Sequence, residues 1–163
     1  WTEGETARRV VASMVRRGGL IDADDLRGYR PRLREPLVGG YRGRRVVAMP
    51  PPSSGGIALL TILRQLEAFP MGRFAPEDPA RLHLLAEAMR RAFADRARYL
   101  GDADFVEVPV AKLVGPEHAR RLAARINLDQ TAAPETYGRL TLPDDAGTTH
   151  FCVVDAAGNA VVC

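Results

Sequence analysis

Residues 147–159 read GTTHFCVVDAAGN: two adjacent threonines between a glycine and a histidine, then a short apolar run, then a turn. Two readings of the hydroxyls compete. In the first, Thr148 and Thr149 are strand formers, Phe151–Val154 is a buried strand, and Asp155–Asn159 is the turn that ends it. In the second, one threonine is a nucleophile. Gly158 takes the natural left-handed position of the turn, and Asp155 and Asn159 flank it, setting the hairpin register and so placing the threonine pair. With the hairpin turning at 155–158, residue 152 faces 161 and 163 faces 150. Cys152 and Cys163 are then diagonal, a geometry that would strain a disulfide, and they read as two buried small hydrophobes with no metal-binding spacing.

Composition narrows the classes. With 46% hydrophobic and 26% charged residues in 163, the chain has the balance of a globular domain long enough to bury a core. No run of 18 apolar residues is present to span a membrane, and the opening WTEGETARRV lacks the apolar centre of a signal peptide. The chain starts inside a helical pattern and stops inside a strand pattern, so it reads as an excerpt of something longer. The formal charge of +3 comes from arginines dispersed among Asp and Glu, with Lys112 the one lysine, and aromatics make up 6%. That distribution argues against nucleic acid as a partner, which calls for a clustered basic face or interleaved aromatics.

Upstream of the threonines the pattern is mostly helical. Ala7, Val10, Val11, Met14 and Val15 recur at helical spacing over 3–17, and Gly18-Gly19 closes that helix. Asp22, with Asp25 three residues on, caps a short helix near 23–28. Two β-rich runs within 32–49 lie around Gly39-Gly40 and predict a hairpin or two neighbouring strands. PPPSSGG (50–56) then fixes extended backbone, and Ser53 or Ser54 caps a helix running from Gly55 through Leu66, whose free N–H groups are also suited to an anion. The longest helix covers 79–100, with Leu82, Leu85, Met89, Phe93 and Arg96 or Ala97 as the packed stripe and Arg91 and Asp95 off it. His83 and Glu87 lie at i, i+4 but lack the second histidine of a zinc motif and read as a hydrogen-bonded surface pair. GDADF (101–105) reads as a turn, not a calcium loop. Pro116 opens a short helix, and 128–147 reads as an exposed, mobile linker.

Taken together, GGLIDADDLRGY, EPLVGGYRGRRVVAMPPPSSGG, HLLAEAMRRAFADRARYLGDADF and TTHFCVVDAAGNAV resemble the γ-glutamyltransferase family, the glutathione hydrolases, which are N-terminal nucleophile hydrolases. The resemblance extends over nearly the whole chain. It implies that residues 1–147 are the end of a large subunit, that 148–163 open a small one, and that the precursor cuts itself at Gly147–Thr148, making Thr148 the nucleophile. It implies an α+β chain that is part of a four-layer αββα sandwich, incomplete here. It further implies a γ-glutamyl donor such as glutathione, an amino acid or dipeptide acceptor, pairing of large with small subunit, no cofactor, and a periplasmic or extracellular location. Two positions depart from the family pattern: Cys152 stands where Ser or Thr is usual, and Val162 where Ser, Thr or Ala is usual. The groups that would bind the substrate's carboxylate and amine and the oxyanion fall outside the chain.

The chemistry has its own logic. An alkyl hydroxyl is a weak nucleophile near neutral pH and needs an adjacent base. A chain terminus supplies one, because an α-amine has a pKa of roughly 7.7–8 against about 10.4 for lysine. Scission before Thr148 creates that amine beside its own Oγ, so His150 is left as a strand histidine bonded to backbone. Two alternatives stand beside this reading: an acylase cleaving glutaryl or other side-chain amides on the same scaffold, and a degenerate relative that is never cut and serves as an interaction domain.

Overall fold

The computed structural model describes residues 2–137 and 151–162. Chain contacts divide it into two units, 1–35 and 36–163. In the first, α1 (Gly4–Arg17) ends where Gly18 turns left-handed (φ 69°) and Gly19 N–H donates to the Met14 carbonyl at 2.9 Å. α2 (Ala23–Gly28) starts with a reciprocal cap: Asp22 accepts from the N–H groups of Asp24 and Asp25, and Asp25 accepts from the Asp22 N–H at 3.0 Å. Aspartate thus completes a box usually closed by Glu or Gln. Of the expected apolar face of α1, Ala7 is buried while Val15 is exposed.

The second unit is built around α3 (Gly55–Leu66). An antiparallel hairpin, β1 (Leu37–Tyr41) and β2 (Arg44–Ala48), packs on it, as do α4 (Pro79–Tyr99) and α6 (Pro116–Ala123), with α5 (Val110–Leu113) between the last two in sequence. Because it is covered on several sides, α3 is apolar nearly all round, burying Ile57, Ala58, Leu60 and Leu66. Its two buried polar side chains are tied to backbone: Thr61 Oγ1 donates to the Leu113 carbonyl (3.2 Å), and Gln65 Nε2 to those of Thr61 and Ala88 (3.3 and 3.2 Å). Leu66, Met71, Leu84, Ala88 and Ile126 form the core beside it.

The hairpin does not turn at Gly39-Gly40. Both glycines lie within β1, and the turn is Arg42-Gly43, each with positive φ (49° and 76°), as a two-residue type I′ loop requires. Gly39 is explained by proximity: a Cβ there would sit 2.5 Å from a methyl of the buried Leu60. The serines also differ from expectation. Ser54 makes no side-chain cap but accepts a bond from Arg96 Nε (2.9 Å), and Ser53 Oγ accepts the Gly55 N–H at 3.4 Å.

The largest correction concerns α4. Its inward face is Leu84, Glu87, Ala88, Arg91 and Ala92, whereas Leu82, Met89 and Phe93 are 53, 46 and 48% exposed. Small residues at 88 and 92 let α4 approach α3 closely, and the bulky stripe is left on the other side. GDADF forms a turn as expected, with Phe105 and Val106 N–H groups donating to the Asp102 carbonyl. β3 (Cys152–Val154) and β4 (Ala160–Val162) make a second antiparallel hairpin, so the chain is α+β with two two-stranded sheets among the described residues.

Gly56 offers a test of this packing. A Cβ on it would lie 2.0 Å from the Met49 carbonyl oxygen, a backbone atom that cannot swing aside. Gly56→Ala should therefore destabilise the full-length protein by about 1–3 kcal/mol, read as a lower denaturation midpoint with an unchanged m-value.

Candidate functional site around the Gly147–Thr148 junction

Gly147, Thr148, Thr149 and His150 lie outside the described residues, as does Cys163. The structure instead defines what stands on either side of the junction. Downstream is the β3–β4 hairpin. Its register pairs Cys152 with Val162, Val153 with Val161 and Val154 with Ala160, one residue off the expected pairing of 152 with 161. The connection is accordingly Asp155–Asn159. A one-residue change of register reverses which side chains share a face. Asp155 organises this loop: its Oδ1 accepts the N–H groups of Ala157 and Asn159 (both 2.9 Å), and its Oδ2 accepts Asn159 Nδ2 (2.8 Å). Asp155 N–H donates to the Asn159 carbonyl at 3.0 Å, and Gly158 sits at φ 84°, the left-handed position assigned to it. The strand is not buried as the first reading had it: Phe151, Val153, Val154 and Val161 are all exposed, and so is Cys152.

Upstream, most side chains of 128–136 are exposed, but the segment is held where its described part ends. A 3₁₀ turn over Pro134–Tyr137 lies on α4. Tyr137 donates its hydroxyl to Glu87 Oε1 at 2.7 Å, with the guanidinium carbons of Arg90 and Arg91 4.7 and 5.1 Å from its ring centre. Arg125 donates to the Thr136 carbonyl at 3.1 Å. Glu87 itself is 1% exposed and pairs with Arg91, 6% exposed, at 2.5 Å; Arg91 also donates to the carbonyls of Glu87 and Arg125. Glu87 is therefore no partner of His83 in a surface pair; the His83 Nε2–H donates instead to the Asn127 carbonyl at 2.8 Å.

The electrostatics follow. Burial acts to raise the pKa of Glu87, but hydrogen bonds from Arg91 and Tyr137, with the Arg91 charge, outweigh it and hold the carboxyl below its ordinary value. Burial, then the hydrogen bond to Glu87 and its charge, push the Tyr137 phenol above its usual range. Beside them is a cleft of about 240 Å³ lined by Arg91, Asp95, Arg98, Arg125, Thr136 and Tyr137. Asp95 accepts from His118 Nε2 at 2.5 Å, while Arg121 donates to His118 Nδ1 at 3.1 Å, which fixes the tautomer because a guanidinium only donates. Glu87, Arg91 and Tyr137 escape a sequence reading for different reasons. The acid and base are at i, i+4, a visible signal of a helix pair but not of its burial; nothing local connects Tyr137 to a helix so far back in the chain. Among the described residues, no group of three or more His, Cys, Asp or Glu is placed to hold a metal ion.

A glycine–threonine pair followed by a hairpin is what the resemblance to N-terminal nucleophile hydrolases implies at this point of the chain. The Gamma-glutamyltranspeptidase family model matches residues 1–163, and the chain belongs to that family. It is 41% identical over 162 residues to the glutathione hydrolase proenzyme of Escherichia coli K12, covering 98% of this chain and 28% of that protein. It is 43% identical over 158 residues to the acylase ACY 1 proenzyme of Pseudomonas sp. SE83, covering 97% of this chain and again 28% of the relative. The crystal structure of Helicobacter pylori γ-glutamyltranspeptidase superposes with a TM-score of 0.77 at 36% identity, covering 88% of this chain and 42% of that one. The chain thus spans somewhat under a third of the length of the curated relatives it matches.

Two outcomes test the geometry. Since the Asn159 side chain and backbone N–H groups depress the Asp155 pKa, the carboxyl should titrate below the roughly 3.9 of an unfolded aspartate. The turn's contribution is then complete above that pH and lost as pH falls through the folded value, and an NMR titration should show Asn159→Ala moving the midpoint upward. Removing one member of the buried pair strands the other, so Glu87→Ala should cost about 3–5 kcal/mol in chemical denaturation.

Proposed function

We propose that the full-length protein is a self-processing γ-glutamyl hydrolase and transferase, in which residues 1–147 end the large subunit, 128–147 being the segment before the cut, and 148–163 begin the small one. The observation that carries this reading is that the family match spans residues 1–163, a range that includes Gly147–Thr148 and the hairpin, and that relatives of this chain are named as proenzymes. Thr148 Oγ attacks the Gly147 carbonyl, the acyl group passes from nitrogen to oxygen, and water hydrolyses the ester. Gly147 presents no side chain to obstruct that approach. The freed α-amine then serves as base for the same hydroxyl.

In turnover Thr148 Oγ attacks the γ-glutamyl amide of glutathione or a related donor. The leaving amine departs with a proton, and the γ-glutamyl ester is resolved by water or by the amine of an amino acid or dipeptide. An oxyanion donor is worth about 3–4 kcal/mol in such a step, and on this reading it comes from outside the chain described above. The fold proposed for the whole is the four-layer αββα sandwich. The exposed Leu82–Met89–Phe93 face of α4 and the exposed β3–β4 hairpin support it, since contiguous apolar faces of this kind call for a covering layer. The acylase alternative is favoured by one specific observation, the 43% identity to the acylase ACY 1 proenzyme.

The decisive experiment gives γ-glutamyl-p-nitroanilide and glutaryl-p-nitroanilide to the full-length protein and to Thr148→Ala. The wild type should resolve by intact mass into two chains, the lighter beginning at Thr148, and should release p-nitroaniline from the γ-glutamyl compound. Thr148→Ala should remain one chain and lose activity by at least about a thousandfold. Preference for the glutaryl compound selects the acylase, and equal turnover by both proteins removes Thr148 from its role.

A further inference from the structure

We propose that Tyr137 is a positioning residue for self-cleavage, fixing the upstream end of the stretch that leads to the scissile bond by docking it on α4 through Glu87, Arg90 and Arg91. The inference rests on the scission at Gly147–Thr148 proposed above. A pre-cleavage linker of low hydrophobicity would be expected to float from residue 128 onward. The described part does not. Tyr137 carries both kinds of contact that make an anchor: a directional hydrogen bond to a buried carboxylate (2.7 Å) and ring contacts with two guanidiniums, while Arg125 holds the neighbouring Thr136 carbonyl.

The acceptor is itself immobile. Glu87 is held by Arg91 at 2.5 Å on the inward side of α4, so the phenol is tied to the core and not to a surface side chain free to follow the linker. Two consequences follow for the junction. From a fixed Tyr137, a fully extended chain reaches residue 148 within about 40 Å, which sets an outer limit on the distance between the anchor and the scissile bond. Docking at 137 also halves the length left to be ordered between 128 and the bond. A twofold change in free loop length alters the probability of a given closure roughly threefold.

The test follows cleavage of the full-length precursor by pulse-labelling in cell-free translation, resolving one chain from two over time. Tyr137→Ala should slow the appearance of the lighter chain at least roughly threefold. Tyr137→Phe, which keeps the ring over Arg90 and Arg91 and loses the hydroxyl, should fall between Tyr137→Ala and wild type. A flexible Gly-Ser insertion after residue 140 should slow the wild type but add little to Tyr137→Ala, a non-additivity that loss of stability alone would not produce. Wild-type rates in both tyrosine variants overturn the proposal, as do strictly additive effects of the insertion. If Tyr137→Ala does not fold in an uncleaved Thr148→Ala background, Tyr137→Phe carries the same test, and a wild-type rate in it overturns the proposal. A wild-type precursor that is never cut, or is cut elsewhere, overturns the parent reading together with this one. Normal cutting of the wild type with no effect of residue 137 overturns this one alone.

Discussion

The Glu87–Arg91 pair is the constraint on which this part of the structure turns. Burying two ionised groups is costly, and the cost is offset only where each is bonded on every side. Glu87 accepts from Arg91 and from Tyr137; Arg91 donates to Glu87 twice and to the Arg125 carbonyl. Those bonds reach three places: the middle of α4, the chain leaving α6, and the 3₁₀ turn at 134–137. The pair therefore does more than fill space. It makes the position of the last described residues before the junction a property of the core.

The two faces of α4 explain why such a pair sits where it does. One face carries Leu84 with Ala88 and Ala92, the two alanines being small enough to bring α4 against α3 and to let Gln65 reach the Ala88 carbonyl. The other carries Leu82, Met89 and Phe93, bulky and exposed. A helix apolar on both faces belongs between layers, and a helix packed on one face only would have its large residues there. The charged positions 87 and 91 fall at the margin of the inner face, where α6 and the 3₁₀ turn close over them.

Much of this was legible before any coordinates. Periodicity, caps and breakers place α1, α2, α4 and α6 close to where they lie, because each begins or ends on a residue with one strong local reason to be there: Gly18, Asp22, Pro79 and Pro116; α3 is legible from its apolar spacing, since the expected serine cap is not made. The Asp155–Gly158–Asn159 turn was legible for the same reason. What failed were judgements of which side faces inward. Periodicity points to the stripe of largest residues on α4 as the packed one, but the close packing on α3 places alanines there. The paired glycines were read as a turn, whereas Gly39 is small because Leu60 lies against it. The hairpin register differs by one residue from the expected one because the loop holds five positions, bridged by Asp155, and not four. The first two differences concern contacts with something distant in sequence; the third is local, set by the bonds of Asp155 to Ala157 and Asn159.

The same distinction bears on the junction itself. The residue types that would perform the cut are local: a glycine, a threonine and the amine that scission exposes, all within two positions. What such chemistry demands of the rest of the chain is not local, because an acyl shift from nitrogen to oxygen needs the hydroxyl held near the carbonyl it attacks. On the proposed reading, that constraint is met from both directions. Downstream, Asp155 closes a loop that sets the strand leading back towards Thr148; upstream, Tyr137 ties the approaching chain to an ion pair in the core. A loose linker would leave the two ends of the reacting segment independent of one another. Tying each end to a folded element narrows the conformations open to the bond, which favours the approach of the hydroxyl to the carbonyl before the cut has made the amine that serves it afterwards.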